Sequence, residues 1–177
     1  MGRARDALEG FSSRFQAAYQ DGLARKIGLS SEDGQGVALA QDLLSRMAEN
    51  EVDFTLGFRR LCDATLGPEG DAGVRALFKK PGSYDEWAIR WRARLTNEPE
   101  SPEVRAEAMR GNNPAFIPRN HLVERVIAAA LERQDFGEFE ALLEAVIHPF
   151  EERRPDLARF AIPPLPEERV ARTFCGT

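Results

Sequence analysis

The sequence predicts an all-α fold: an irregular multi-helix domain of about seven or eight helices with a Pro-rich C-terminal tail. Apolar residues recur along most of the chain at steps of three and four, which is the period of an amphipathic helix. No segment shows the alternation of apolar and polar residues that is typical of a strand. From residue 155 onward, prolines interrupt the backbone too often for long regular structure, at Pro155, Pro163, Pro164 and Pro166.

The length and the net charge limit the classes of protein to which this chain can belong. With 177 residues, the chain is long enough to close its own core, so we expect one helical domain over residues 1–177 with an extended tail over 160–177. The formal charge is −5, which argues against nucleic acid as a partner, because phosphates need a basic surface. The sequence has no apolar run of about 18 residues and no apolar signal core at its start, so we expect a cytoplasmic protein without membrane contact.

Three helices are predicted in the N-terminal third. The first ends near Gly28, and its apolar face carries Leu8, Phe11, Phe15, Ala18, Tyr19 and Leu23. The second ends near Asn50 and places inward Val37, Ala40, Leu43, Leu44 and Met47. Asp53 is expected to cap the third, whose inward residues are Phe54, Phe58, Leu61 and Cys62.

Three more helices are predicted in the middle of the chain. Residues 66–71 are expected to form a loop, followed by a short helix from Val74 to Phe78 that Pro81-Gly82 breaks. Ser83 is expected to cap the next helix, whose core residues at steps of four are Trp87, Trp91 and Leu95. Ser101-Pro102 is the N-cap and first position of a helix that runs through Met109.

Two helices are predicted after an irregular stretch over residues 111–118. Asn120 is expected to cap a helix through Leu131, with an apolar side made of Leu122, Val126, Ile127 and Ala130. Asp135 is expected to cap the last helix, which Pro149 stops, with the inward residues Phe136, Phe139, Leu142, Leu143, Val146 and Ile147.

The sequence predicts no catalytic, cofactor-binding or metal-binding residue. His121 and His148 are the only histidines, and neither belongs to a ligand spacing such as His-x-x-x-His or Cys-x-x-Cys. The sequence contains no phosphate-binding glycine loop and no nucleophile elbow. Two cysteines cannot form a disulfide scaffold in a chain of this length.

Two features point beyond ordinary packing. The loop around residues 112–121 combines prolines, asparagines and apolar residues before a strong helix, so we expect a fixed corner built on Asn113, Pro114, Pro118, Arg119, Asn120 and His121. Cys175 lies two residues from the end of the sequence and is a candidate redox or cross-linking thiol. Cys62, on an inner helix face, is expected to be buried and inert.

The loop belongs to a longer order of motifs that resembles a known family. The run from Met109 to Glu124 is similar to the C-terminal signature of the selenoprotein O (YdiU) family. The same order continues through Asp135-Phe136, Phe139, Leu142-Leu143, Pro149-Phe150-Glu151, Pro163-Pro164 and Thr173-Phe174-Cys175-Gly176-Thr177. Upstream, Lys26-Ile27-Gly28-Leu29 and Asp53-Phe54-Thr55 also fit.

The resemblance implies a function for a longer protein. Family members are protein adenylyltransferases with a kinase-like (pseudokinase) fold. They transfer AMP from ATP to protein hydroxyls, a reaction called AMPylation, and they bind ATP and Mg in their kinase-like lobes. This chain resembles the helical C-terminal part without those lobes, so the expected partners are the lobes of the same protein and its protein substrates. Cys175 occupies the place of the family's C-terminal cysteine or selenocysteine, which implies a redox latch.

Two alternatives remain open. The chain could be a stand-alone, non-catalytic helical interaction module, or a small enzyme with a site around Asn113, Arg119 and His121. In the enzyme, Arg119→Ala would abolish activity, whereas in a structural corner it would lower stability. A domain that buttresses lobes should expose a large apolar patch when the lobes are missing.

Overall fold

The computed structural model describes residues 2–32, 34–152 and 154–170, with side chains described from residue 10 onward. Within these residues it contains eight α-helices, two 3₁₀ segments and no strand, so the all-α prediction is confirmed. The helices are α1 (Gly2–Lys26), α2 (Gln35–Glu49), α3 (Phe54–Ala64), α4 (Pro68–Arg75), α5 (Pro81–Leu95), α6 (Pro102–Asn112), α7 (Asn120–Arg133) and α8 (Gly137–Ile147). The 3₁₀ segments are Pro155–Ala161 and Pro166–Glu168.

The chain divides into two compact units, residues 1–113 and residues 114–177. The first unit contains α1 to α6, and the second contains α7, α8 and the 3₁₀ segments. Each unit has its own cluster of buried apolar side chains. The single domain expected over residues 1–177, and the tail expected over residues 160–177, stay predictions.

The core of the first unit is built around the two tryptophans of α5. Trp87 and Trp91 are completely buried, and their rings stack with centroids 5.1 Å apart. Each indole N–H has a backbone acceptor: Trp87 donates to the carbonyl of Leu39 at 2.9 Å, and Trp91 to that of Ile27 at 2.8 Å. The prediction that these residues are core residues is therefore confirmed, and both polar atoms are satisfied inside the core.

Several predicted helix ends are confirmed. The Asp53 carboxylate accepts the N–H of Leu56 at 2.8 Å and caps α3. The Ser101 hydroxyl accepts the N–H of Val104 at 3.4 Å and caps α6, with Pro102 in the first turn. Gly28 follows α1 with φ of +70°, which is the left-handed conformation that ends many helices.

Other helix starts were predicted wrongly, and proline is one reason. α4 begins at Pro68 and α5 at Pro81, where the expected structures were a loop and a break. Proline's fixed φ suits the first turn of a helix, whose N–H groups have no helical acceptor. In the second unit, Arg119 rather than Asn120 is the N-cap of α7. Phe136 is at the N-cap position of α8, but the Asp135 carboxylate accepts the N–H of Gly137, the first residue of that helix, at 3.0 Å.

The core of the second unit lies between the facing sides of α7 and α8, and the 3₁₀ segment at residues 155–161 contributes to the same core. Its buried apolar residues are Ala115, Phe116, Leu122, Val126, Leu142, Ala145, Leu157 and Phe160. Leu122, Val126 and Leu142 are therefore inward, as the helical period predicted. Among the residues that the structure describes, no helix is long and apolar enough to cross a membrane.

One group of sequence predictions is wrong in a systematic way. Ten apolar residues expected to face inward are exposed: Phe11, Phe15, Ala18, Tyr19, Phe54, Ile127, Phe136, Phe139, Leu143 and Ile147. The helical period identifies an apolar stripe on a helix, but it does not show whether another element covers that stripe. The predicted face of α1 also includes Leu8, whose side chain lies outside the described residues.

Candidate functional site

Asn113 is the centre of a buried polar network at the end of the first unit. Its side chain is fully buried. Its amide nitrogen donates to the carbonyl of Lys26 at 2.8 Å, and its amide oxygen accepts from the Lys26 ammonium at 3.1 Å. Lys26 is the last residue of α1, and its carbonyl has no partner within that helix. Asn113 therefore fastens the end of α1 to the end of α6.

Two arginines hold the same end of α6. Arg59, on α3, is 5% exposed, and its Nη1 donates to the carbonyls of Arg110 at 3.1 Å and Asn113 at 2.9 Å. Arg110 in turn donates to the carboxylate of Asp63, on α3, at 2.7 Å. A cation beside the last carbonyls of a helix is favoured by their partial negative charge. α3 and α6 are thus joined through charge-assisted hydrogen bonds.

Lys26 is a partly buried cation of this network. Its ammonium donates to the carbonyl of Asn112 at 3.2 Å and lies 5.5 Å from the ring centre of Phe54 and 5.3 Å from that of Phe58. Burial lowers the pKa of Lys26, and the nearby Cys62 opposes that shift. The two aromatic rings offset part of the lost hydration through cation–π attraction.

Cys62 lies on the inner side of this network, completely buried as the sequence predicted. Its Sγ is 3.4 Å from the carbonyl oxygen of Phe58, to which it donates, and 3.7 Å from the amide nitrogen of Asn113. Burial raises the pKa of the thiol to about 11, although the bond from Asn113 and the charges of Arg59 and Arg110 act the other way. A thiol in this state is a poor nucleophile at neutral pH.

In the second unit, the loop before α7 is fixed by backbone hydrogen bonds. The N–H groups of Ala115 and Phe116 both donate to the carbonyl of Pro149, at 2.7 and 3.1 Å. Phe116 is 1% exposed and anchors the loop in the core of this unit. Pro114 is half-buried, while Pro118 is exposed. These contacts hold the loop from Pro114 onward within the second unit, and the corner expected from Asn113 to His121 stays a prediction.

Arg119 connects this loop with the 3₁₀ segment of the second unit. It is 6% exposed, and its Nη2 donates to the carbonyl of Ala161 at 3.1 Å. Asn120 is exposed and is the first residue of α7. Burial lowers the pKa of His121, and the charge of Glu168 opposes the shift.

The structure distributes the predicted site residues over both units. Asn113 belongs to the first unit, whereas Arg119 and His121 belong to the second, and each makes the contacts given above within its own unit. Cys175 lies outside the described residues. Among those that are described, no group of three or more His, Cys, Asp or Glu side chains could hold a metal ion.

Exposed apolar stripes are the other unusual feature. On α1, Phe11, Phe15 and Tyr19 are 64%, 58% and 46% exposed, and neighbouring rings stack with centroids 5.9 and 6.3 Å apart. On α8, a second stripe at helical spacing consists of Phe136, Phe139, Leu143 and Ile147, which are exposed as well. Stripes of this kind are typical of surfaces that another chain segment covers.

Comparison with known proteins decides the family. The sequence model described as "Protein adenylyltransferase SelO" matches residues 2–147, which is most of the chain. The chain belongs to the SelO family. Both the Asn113 network and the loop before α7 lie within the part that matches.

Curated SelO relatives are similar along almost the entire chain. "Protein nucleotidyltransferase YdiU" from Rhodopseudomonas palustris is 50% identical over 174 residues, which is 98% of this chain. The protein of the same name from Methylorubrum extorquens is 51% identical over 183 aligned positions, covering 100% of this chain. The chain spans only 35% and 37% of the lengths of these two relatives.

Several residues of this SelO-family site could not be found by sequence reasoning. Arg59 and Asp63 were not singled out, and Lys26 and Arg110 were noted only as parts of matching motifs. Lys26 and Asn113 are 87 positions apart, and Arg59 and Asn113 are 54 apart. Helical period and local spacing carry no signal for such pairs, because both describe only neighbours along one element.

Proposed function

We propose that this chain is the C-terminal helical domain of a cytoplasmic SelO/YdiU-like protein adenylyltransferase. In the whole protein, kinase-like lobes that bind ATP and Mg²⁺ transfer AMP to hydroxyl groups of protein substrates. The helical domain has a structural and regulatory role: it buttresses the lobes and presents the Cys175 tail to them. By itself it does not transfer AMP.

One observation carries this proposal: the match is nearly complete for the chain but covers about a third of its relatives. Relatives named protein nucleotidyltransferases match 98% of this chain with 35% of their own length. The buried polar residues described above support a structural role, because Asn113, Arg59 and Arg119 all bind backbone carbonyls. No residue described here is assigned to ATP or Mg²⁺.

The test is a chimera. In the Rhodopseudomonas palustris relative, the matched region of 174 residues is either deleted or replaced by this chain. AMP transfer from labelled ATP to protein is then measured for the relative, the deletion variant, the chimera and this chain alone. We expect transfer by the relative and by the chimera, and none by this chain alone or by the deletion variant.

Two outcomes would contradict the proposal. AMP transfer by the 177-residue chain alone would show that the chain itself is the enzyme. A chimera that folds, as judged by circular dichroism, but transfers no AMP would show that this chain does not fulfil the role of the matched region.

The redox part of the proposal has its own test. AMP transfer by the chimera is measured with and without a thiol reductant, and the Cys175→Ser variant is measured in parallel. If Cys175 forms a latch with the lobes, the reductant changes the rate at least twofold in the chimera and has no effect on Cys175→Ser. The control is Cys62→Ala, which removes the buried thiol and should respond to reductant as the unmodified chimera does.

The alternative function, a stand-alone non-catalytic interaction module, is favoured by the same exposed stripes on α1 and α8. It predicts that the deletion variant of the relative transfers AMP as fast as the intact relative.

A further inference from the structure

Residues 11–19 of α1 form a helical segment that no other described residue covers. Every position from residue 11 to residue 19 is exposed, including the small residues that would pack closely if a neighbour were present. From residue 10 onward, the first buried positions of α1 are Leu23 and Ala24. α1 packs on α2 and α6, so this packing involves the C-terminal end of the helix.

A helical segment in this situation gains stability when a partner covers its apolar face. Most helical stability in proteins comes from the packing of such a face rather than from helix propensity. Phe11, Phe15 and Tyr19 follow one another at steps of four and therefore lie within a stripe about 80° wide. Aromatic side chains bury about 150–250 Å² each when they are covered, so this stripe is the face that would hold the helix.

The charge around the stripe indicates the chemistry of the partner. Among residues 11–19, Arg14 is the only charged one. A nearly neutral aromatic face fits an apolar protein groove, whereas nucleic acid or an anionic membrane would require several basic residues.

The size of the stripe argues for a partner in the same polypeptide. A stable dimer of separate chains buries about 800 Å² on each partner, and three aromatic rings provide less than that. A partner on the same chain is present at an effective concentration in the millimolar range, so a small surface is sufficient. The family match includes this helix from residue 2 onward, and about 65% of each relative's length lies outside the matched region.

We infer that Phe11, Phe15 and Tyr19 form a docking surface for an apolar groove in the part of the SelO protein that this chain does not match. The inference rests on the proposed function and names the surface through which the helical domain buttresses the rest of the protein. In the whole protein, the groove covers the three rings and stabilises α1 over residues 11–19.

The experiment compares hydrogen–deuterium exchange of residues 11–19 in the 177-residue chain and in the chimera described above. The test variant is Phe11→Gln with Phe15→Gln, because glutamine keeps a high helix propensity while it removes the rings. The matched control is Ser13→Gln with Ala17→Gln, since these residues lie on the opposite side of α1 at 100° per residue. The oligomeric state of the 177-residue chain is measured by light scattering.

We expect residues 11–19 to exchange at least tenfold more slowly in the chimera than in the free chain. The Phe11→Gln/Phe15→Gln pair should remove this protection, and the Ser13→Gln/Ala17→Gln pair should leave it in place. Equal exchange in the free chain and in the chimera would overturn the inference, as would equal loss of protection in both variants. A free chain that is a dimer, and that only the phenylalanine variant dissociates, would assign the surface to a second copy and overturn the inference too.

The two proposals fail separately. A chimera that transfers AMP but shows no protection of residues 11–19 contradicts the docking surface and leaves the proposed function standing. A folded chimera that transfers no AMP contradicts the proposed function, and its exchange pattern still decides the docking surface.

Discussion

Asn113 shows how one side chain can hold the ends of two helices that are far apart in sequence. Its amide group both donates to and accepts from Lys26, and its own carbonyl accepts from Arg59. Buried polar groups cost free energy when they lose their partners, so the network specifies one arrangement of α1, α3 and α6. The network holds the C-terminal end of the same helix that carries the exposed residues 11–19.

Replacing Asn113 by alanine should therefore lower the free energy of unfolding of the first unit by about 2–4 kcal/mol. The variant removes the two hydrogen bonds to the carbonyl and ammonium of Lys26, and the weaker bond to the sulfur of Cys62. The measurement is urea unfolding followed by tryptophan fluorescence, because both tryptophans lie in the first unit.

Asn112→Ala is the matched control for this variant. The side chain of Asn112 donates only to the carbonyl of Ala108 within α6, at 2.8 Å and in an exposed place, so we expect a loss below about 1 kcal/mol. Equal losses for the two asparagines would contradict the role assigned to Asn113.

Because of Cys62, the stability of the first unit should decrease with rising pH in the alkaline range. Its thiol has a model-peptide pKa of 9.0 and a pKa of about 11 in the fold, so the folded state favours the protonated form. This preference contributes fully to the free energy of unfolding below pH 9, and the contribution is lost as the pH rises from 9 to about 11. At about 1.4 kcal/mol for each pH unit, the loss is roughly 2–3 kcal/mol.

The comparison with Cys62→Ala isolates this effect. Lys26 acts in the opposite direction, because its lowered pKa makes the folded state gain stability as the pH rises towards 10.5. Lys26 is present in both proteins, and without Cys62 its pKa is lowered further, which adds to the stability that Cys62→Ala gains as the pH rises. The difference in unfolding midpoint between wild type and Cys62→Ala should therefore shrink from pH 8.5 to pH 10.5. A difference that stays constant over this range would show that the thiol is not held in its protonated form.

At the scale of single elements, the end of α1 depends on a glycine. Gly28 has φ of +70°, and a Cβ at this position would lie 2.7 Å from the Sδ of Met109 and 2.8 Å from the Cδ of Arg105. Both the backbone conformation and the close packing of α6 therefore require the absence of a side chain.

Gly28→Ala should destabilise the first unit by about 1–3 kcal/mol, whereas Gly22→Ala should stabilise it by up to about 1 kcal/mol. Gly22 lies inside α1, and a Cβ there would meet nothing within 4 Å. Thermal unfolding of both variants checks the prediction. A stabilising effect of Gly28→Ala would mean that α1 does not end in the conformation described.

At the scale of the whole molecule, the two units differ in the size of their cores. Among the described residues, the first has a buried apolar cluster of 18 residues, and the second has one of 8 residues. Because apolar burial is the main stabilising term, the second unit should unfold at a lower denaturant concentration than the first.

Two spectroscopic signals separate the units. Far-ultraviolet circular dichroism follows all helices, while tryptophan fluorescence follows the first unit only. We expect part of the helical signal to disappear before the fluorescence changes, and a Phe139→Trp variant, at an exposed position of α8, should report that early phase. Coincident transitions for all three signals would show that the chain unfolds as one cooperative body.

The sequence by itself determined the fold class, most helix positions and the family. These features follow from local chemistry: helical period, the caps Asp53 and Ser101, the glycine after α1, and a specific order of motifs around Asn113 and Arg119. The same period correctly placed the central tryptophans and Cys62 on inward helix faces, although it made the same prediction for Phe11 and Phe15, which are exposed.

Only the tertiary structure decided which apolar stripes are covered and which groups the buried cations contact. The stripe with Phe11 and Phe15 and the stripe with Trp87 and Trp91 have the same helical period, yet the first is exposed and the second forms the core. Whether a stripe is buried depends on which element packs on it, and whether Lys26 meets Asn113 depends on contacts 87 positions apart. Such contacts arise when helices pack, and a period along one helix does not encode its partner.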